Sequence, residues 1–180
     1  MTNTFLILLP IALFLVMLTG LSLWAERAGR RNRFAGEYFL GDTVLSADCD
    51  GARVLRIYTA NQGNIAFEAD SFVLATGSFF SKGLVATPDR VVEPVFGLDT
   101  VYDADRSKWY TLRFFDRHRY QAFGVKTDGG LHAVKDGNAI ENLYCAGAGL
   151  AGFHPVQEGC GAGVSMLSAQ YVADKILNGK

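Results

Sequence analysis

The sequence predicts an α/β domain with a central, mostly parallel sheet, and three stretches carry that expectation. "SFVLATG" (71–77) and "AIENLYCAG" (139–147) are mainly apolar runs that stop at glycine. That is the pattern of buried strands whose carboxyl ends open on a crevice. "GCGAGVSMLSAQYVADKIL" (159–177) begins with small residues and then sets Val164, Leu167, Tyr171, Val172 and Ile176 along one helical face.

In chain order, the first segment is Phe5 to Trp24, uncharged over about the length a bilayer requires. The basic "ERAGRRNR" behind it would keep that flank in the cytoplasm. A second reading splits the run at Pro10 into a buried strand, "TFLILLP", and a helix ending near Arg31. Composition leaves both open. A cleaved secretory signal fits poorly, because Met1 to Thr4 carry no positive side chain. Next, "EYFLGDTVLSAD" and "ARVLRIYTA" read as short strands around the Asp50-Gly51 turn, and "NQGN" turns into strands at Ile65–Phe67 and Ser71–Ala75. Residues 78–128 show no sustained period and read as loops and short strands on the substrate side.

The bulk numbers set bounds. A chain of 180 residues has room for one ordinary core, and a formal charge of −1 lacks the basic excess of a nucleic-acid-binding protein. Cys49, Cys145 and Cys160 form no C-x-x-C pair, which argues against a disulfide framework and against a zinc or iron–sulfur centre in this chain.

Gly147, Gly149 and Gly152 have the spacing G-x-G-x-x-G, yet they do not make a dinucleotide fingerprint. Pro155 follows at once and helical order resumes only after Gly159, whereas that fingerprint opens its helix inside the glycines. What survives is the physical device: a strand ending in glycines, a crossing loop, and a helix start with free amides facing a crevice. Glycines there either let a flat ring lie against the backbone or permit close packing of helix on sheet.

Two stretches together carry a resemblance: "FVLATGSFFSKGLV", and "FGVKTDGGLHAVKDGNAIENLYCAGAGLAGFHPVQEGCGAGVSMLSAQYVADKI". They resemble the carboxy-terminal half of flavoproteins of the fumarate reductase and succinate dehydrogenase superfamily. "GSFFSKGLVATPDRVVEPVFGLD", the "KWY" at Lys108 to Tyr110 and "GFHPVQEGCGAGV" are similar to the B-subunit family of anaerobic, quinone-linked glycerol-3-phosphate dehydrogenases. The similarity runs from about Gly20 to Ile176 and favours the strand-and-helix reading of the amino-terminal segment.

The resemblance implies the carboxy-terminal portion of a Rossmann-like FAD/NAD(P)-binding domain with a partial cap, lacking the amino-terminal nucleotide-binding βαβ unit and therefore part of a longer subunit. Its expected parts are 1–84, ending in the "LATG" strand; 85–125, the cap or substrate side; and 126–180, the last strand and helix. The implied cofactor is a flavin, FAD or FMN. The implied activity is oxidation of sn-glycerol 3-phosphate to dihydroxyacetone phosphate, with electrons passed towards quinone. The implied partners are a catalytic A-type subunit and an iron–sulfur, membrane-anchoring subunit. The location implied is cytoplasmic, peripheral on the inner membrane through those partners, or anchored by Phe5 to Trp24. Another dehydrogenase of the fumarate reductase type, or a membrane-anchored structural subunit or fragment without cofactor, are the alternatives.

Flavin contacts are expected at Thr76, Gly77, Gly147, Gly149, Gly161, Ala162 and Gly163, the last three through helix-end amides. Two departures stand out. Ala148 occupies the place of the acid that holds the ribityl chain in related flavoproteins, and His154 stands where the resemblance leads one to expect Asp before Pro155. Glu158 then either bonds ribityl hydroxyls or caps the helix. His154 is the candidate for proton handling. "RFFDRHRY" gathers Arg113, Arg117 and Arg119, either to grip a substrate phosphate or as a solvated face. His132, without a nearby partner in sequence, reads as surface; Cys49 and Cys145 read as packing, and Cys160 as a small residue at the helix start.

Overall fold

The computed structural model describes residues 43–179, and Phe5–Trp24 with the strand and helix expected there lies outside them. In order come β1 (Val44–Asp50), β2 (Arg53–Thr59), β3 (Ala66–Glu68), β4 (Phe72–Leu74), β5 (Val85–Ala86) and β6 (Val91–Val92). Then follow β7 (Thr100–Val101), β8 (Gly124–Val125), β9 (His132–Lys135), β10 (Asn138–Cys145) and the helix α1 (Gly161–Asn178).

The Asp50-Gly51 turn forms as its composition demands. Gly51 sits at φ 54°, a left-handed conformation that costs glycine nothing, and β1 and β2 run antiparallel from Asp50↔Arg53 outward. β3 pairs with the other edge of β2. This three-stranded sheet keeps one face wet: Leu45 and Leu55 are exposed while Val54 is buried.

The second sheet has the order β4-β10-β9. β4 and β10 are parallel, with Leu143 opposite Phe72 and Cys145 opposite Leu74, whereas β9 and β10 are antiparallel. This corrects two expectations. Only one strand pair among the described residues is parallel, and "FVLATG" is an edge strand there, with Val73 about half exposed. The central strand is β10, whose Ile140, Leu143, Tyr144 and Cys145 are all buried. The segment between β4 and β9 holds two small antiparallel pairs, β5 with β6 and β7 with β8, matching the expected loops and short strands.

Asn142 fastens the two larger sheets. Its Oδ1 accepts the Val54 N–H at 2.8 Å and its Nδ2 donates to the Val54 carbonyl at 2.8 Å, so one buried amide satisfies both backbone groups of a residue in β2. Leu84, Val91, Trp109, Phe123, Val125, Ala133, Leu143 and Cys145 form the core around this join. Glu93 is buried at its side and accepts the N–H groups of Val95, Phe96 and Gly97, which is how a carboxylate is kept in an apolar setting. Burial, with the charge of Glu93 adding to it, pushes the Cys145 thiol up to about 12.

α1 begins two residues later than expected and packs through a narrower face. Val172 and Ser168 are buried and Val164 and Ile176 half-buried, but Leu167 and Tyr171 are exposed. Two cysteine and histidine readings also change. Cys49 is exposed on β1 instead of packed. His132 has a partner four residues back, since its Nδ1 lies 3.0 Å from Asp128 Oδ2, and its ring lies against Tyr144.

Candidate functional site

Because β4 and β10 are parallel neighbours, their carboxyl ends leave the sheet side by side. Gly77 and Gly147 follow those ends at φ 79° and 78°, so both chains turn sharply where a residue with a Cβ would be strained. The turns touch: an added Cβ at Gly149 would come 3.2 Å from the Gly77 carbonyl oxygen. Thr76 is exposed at the rim. The turn at Gly147–Gly149 is in turn tied to the middle of α1. The Gly147 N–H donates to Ser168 Oγ at 2.9 Å, and Ser168 Oγ donates to the Val164 carbonyl at 2.6 Å. An added Cβ at Gly147 would meet Ser165 Oγ at 3.7 Å. Ser168 was not legible as a site residue, because a serine mid-helix reads as an ordinary surface position until the turn it caps is seen.

α1 opens without a side-chain cap, leaving the amides of its first turn unpaired by any neighbouring side chain. Ala162 and Gly163 are exposed there, and nothing lies within 4 Å of a Cβ built on Gly163. The loop before the helix folds back on itself: Glu158 Oε2 accepts the His154 N–H at 3.3 Å and the Cys160 S–H at 3.4 Å. Of the two roles open to Glu158, helix capping is therefore not the one observed. The His154 N–H and the Cys160 thiol hold its carboxyl below the usual carboxylate range, and the charge of Arg117 acts in the same direction. Desolvation and the same carboxylate raise the Cys160 thiol.

His154 is buried with 8% of its surface exposed, and its Nδ1 has no hydrogen-bond partner. Such an orphaned buried nitrogen is costly unless something else supplies the bond. The arginines separate. Arg119 is paired with Asp103 at 2.7 Å and is turned to that structural use, and Arg113 sits on the exposed loop. Arg117 is the one whose field reaches Glu158. Phe79, just past Gly77, meets Tyr120 edge-on at 6.2 Å, and Tyr120 lies against His118 at 5.7 Å, so an aromatic row links the Gly77 turn to the arginine loop.

Residues 12–164 match the family described as "FAD binding domain". The chain belongs to that family. It is 42% identical over 161 residues to a protein of Yersinia enterocolitica named as the B subunit of anaerobic glycerol-3-phosphate dehydrogenase, covering 89% of this chain and 38% of the relative. Proteins of the same name from Aliivibrio fischeri strain MJ11 and Vibrio cholerae serotype O1 are 46% and 40% identical, over 69% and 79% of this chain and 28% and 33% of their own. The chain thus spans less than two-fifths of the length of these curated relatives. No solved structure matches.

The family's description names FAD, in keeping with the flavin expected from the sequence. The residues present fit one part of such a group. The Cβ sides of Gly77 and Gly149 are filled by Ser81 and by the Gly77 carbonyl, but Gly147 and Gly163 leave backbone open to a flat ring, an uncapped helix start offers amides, and His154 Nδ1 is a buried polar atom without a partner among the described residues.

Proposed function

We propose that this chain forms the ring-binding part of a flavin-dependent oxidoreductase subunit that oxidises sn-glycerol 3-phosphate to dihydroxyacetone phosphate and passes electrons towards quinone. The observation that carries the reading is the contact of the Gly77 turn with the Gly147–Gly149 turn, which Ser168, midway along α1, ties to that helix. The names of the relatives support the substrate.

FAD supplies the two-electron chemistry when bound. The residues of this chain orient it and set the field around it. Thr76, Gly77, Gly147 and Gly149 would form the wall on which the ring rests. The amides at Gly161, Ala162 and Gly163 lie at the positive end of an 18-residue helix and favour negative charge placed before them. Glu158, its carboxyl held below the usual range by its two donors, would accept hydrogen bonds from ribityl hydroxyls. His154 Nδ1 accepts or returns a proton at that wall. Arg117, the arginine whose field reaches Glu158, would take the substrate phosphate.

The protein would act beside a catalytic A-type subunit and an iron–sulfur, membrane-anchoring subunit, cytoplasmic and peripheral on the inner membrane. No helix among the described residues is long and apolar enough to cross a membrane. The test is to purify the chain with those partners and follow flavin absorbance anaerobically. Bleaching by sn-glycerol 3-phosphate and not by succinate is the expected result. A colourless complex, or bleaching by succinate alone, would refute the reading.

A further inference from the structure

The loop between Trp109 and Tyr120 carries a feature that the flavin reading does not use. Leu112, Phe115 and Phe114 are 100%, 94% and 82% exposed, and Tyr110 is 59% exposed. A protein does not ordinarily present that much apolar surface at one point without a use for it. The loop is also held in shape from within. Buried His118 accepts the Thr111 N–H on Nδ1 at 3.1 Å, and its Nε2 lies 2.9 Å from the Phe114 carbonyl, so the ring bridges the two limbs as the neutral tautomer with its proton on Nε2. Thr111 Oγ1 donates to the Arg113 carbonyl, and the Asp116 N–H donates to the same oxygen at 3.1 Å. At its base Arg106 stacks on Trp109, 4.4 Å from the ring centroid, and donates to the Thr87 carbonyl. The apolar tip is therefore displayed by a formed turn.

Charge surrounds it. Of the five cations in residues 106–119, Lys108 pairs with Asp105 at 3.3 Å and Arg119 with Asp103 at 2.7 Å, which leaves Arg106, Arg113 and Arg117 against one acid, Asp116, in a chain whose net charge is −1. Arg113 stands among the apolar side chains and has no ion-pair partner among the described residues. A tip of three outward side chains offers little area to a protein partner, whose interfaces need a broad patch. Lipid, in contrast, packs round a protrusion from every side. Apolar tip and neighbouring cations together match the boundary between acyl chains and anionic headgroups, with Arg113 bonding a lipid phosphate.

We propose that this loop docks the chain directly on a membrane surface bearing anionic lipid, with Leu112, Phe114 and Phe115 inserted. The proposal does not depend on the flavin reading. To test it, an environment-sensitive dye is attached to Leu112→Cys in a Cys49→Ser/Cys160→Ser background of the full chain. Vesicles of phosphatidylcholine with and without phosphatidylglycerol are then added. Because the dye reads the tip itself, attachment through any other segment does not imitate the signal. The expected result is a blue shift with phosphatidylglycerol vesicles only, reversed by salt. Adding Phe114→Ser/Phe115→Ser should weaken the apparent lipid affinity about tenfold or more. Ile65→Ser, an exposed apolar residue elsewhere, should leave it unchanged. Circular dichroism melts of all variants should coincide. An unshifted dye with every vesicle would overturn the proposal. So would a blue shift that rises with protein concentration in the absence of lipid, which would make the tip a self-association surface.

Discussion

Ser168→Ala removes one oxygen and tests whether the glycine turn depends on the helix. In the native chain Ser168 Oγ accepts the Gly147 N–H at 2.9 Å while donating to the Val164 carbonyl at 2.6 Å. Alanine is the better helix former, so on α1 alone the change would be slightly stabilising. What it destroys is the partner of a turn amide held next to the buried Ala146, at a residue already fixed at φ 78°. Leaving such an N–H unpaired costs about 1–3 kcal/mol, and the propensity gain returns only a few tenths. The net expectation is a destabilisation of about 1.5 kcal/mol with an unchanged denaturant slope. Urea unfolding followed by circular dichroism measures it. FAD affinity, measured by quenching of flavin fluorescence, should fall about tenfold as the Gly147–Gly149 turn loosens, since tenfold corresponds to about 1.4 kcal/mol. Ser168→Thr keeps the hydroxyl and should restore much of both. A Ser168→Ala chain as stable as the native one, with full FAD affinity, would refute the idea that α1 holds the turn.

Other expectations follow from single contacts. Asn142→Ala strips both hydrogen bonds from the Val54 backbone in a buried position and should cost about 3 kcal/mol in urea unfolding; a cost under about 1 kcal/mol would mean that the sheets are not joined there. Against a desolvation that pushes it the other way, the N–H groups of His132 and Gly130 and the His132 ring hold the Asp128 carboxyl below its usual range. A depressed carboxylate stabilises above its unfolded value and loses that contribution as pH falls through its folded one. Asp128→Asn should therefore lower the melting temperature at neutral pH, with the gap to the native chain closing as acid protonates Asp128 in the folded state; a gap that does not narrow as pH falls would contradict this. Timed alkylation with mass spectrometry should modify exposed Cys49 first and Cys160 more slowly. Cys145, its thiol pushed up to about 12, should react only on unfolding.

Much of this arrangement is readable from local pattern. The apolar run of β10, the Asp50-Gly51 turn and the helix α1 each declare themselves within a dozen residues, because turn chemistry and burial on both faces are local demands. Which strand is central is not local. "FVLATG" is as apolar as β10, yet it lies at an edge among the described residues because pairing joins segments about seventy residues apart. The same limit applies to α1, where Leu167 and Tyr171 continue the apolar period but stay exposed, Tyr171 reaching only the Gly129 carbonyl with its hydroxyl and Lys175 with its ring. In the site, glycine positions could be named because a sharp exit from a strand requires them. That Arg119 is taken up by Asp103, 16 residues earlier, is a pairing no local pattern announces.

Amide hydrogen exchange with saturating FAD tests the central claim most directly. Protection should appear together at residues 76–77, 147–149 and 159–163, the three backbone segments proposed to hold the flavin. Protection at one of these segments alone, at none of them, or chiefly along β1 to β3 would contradict it.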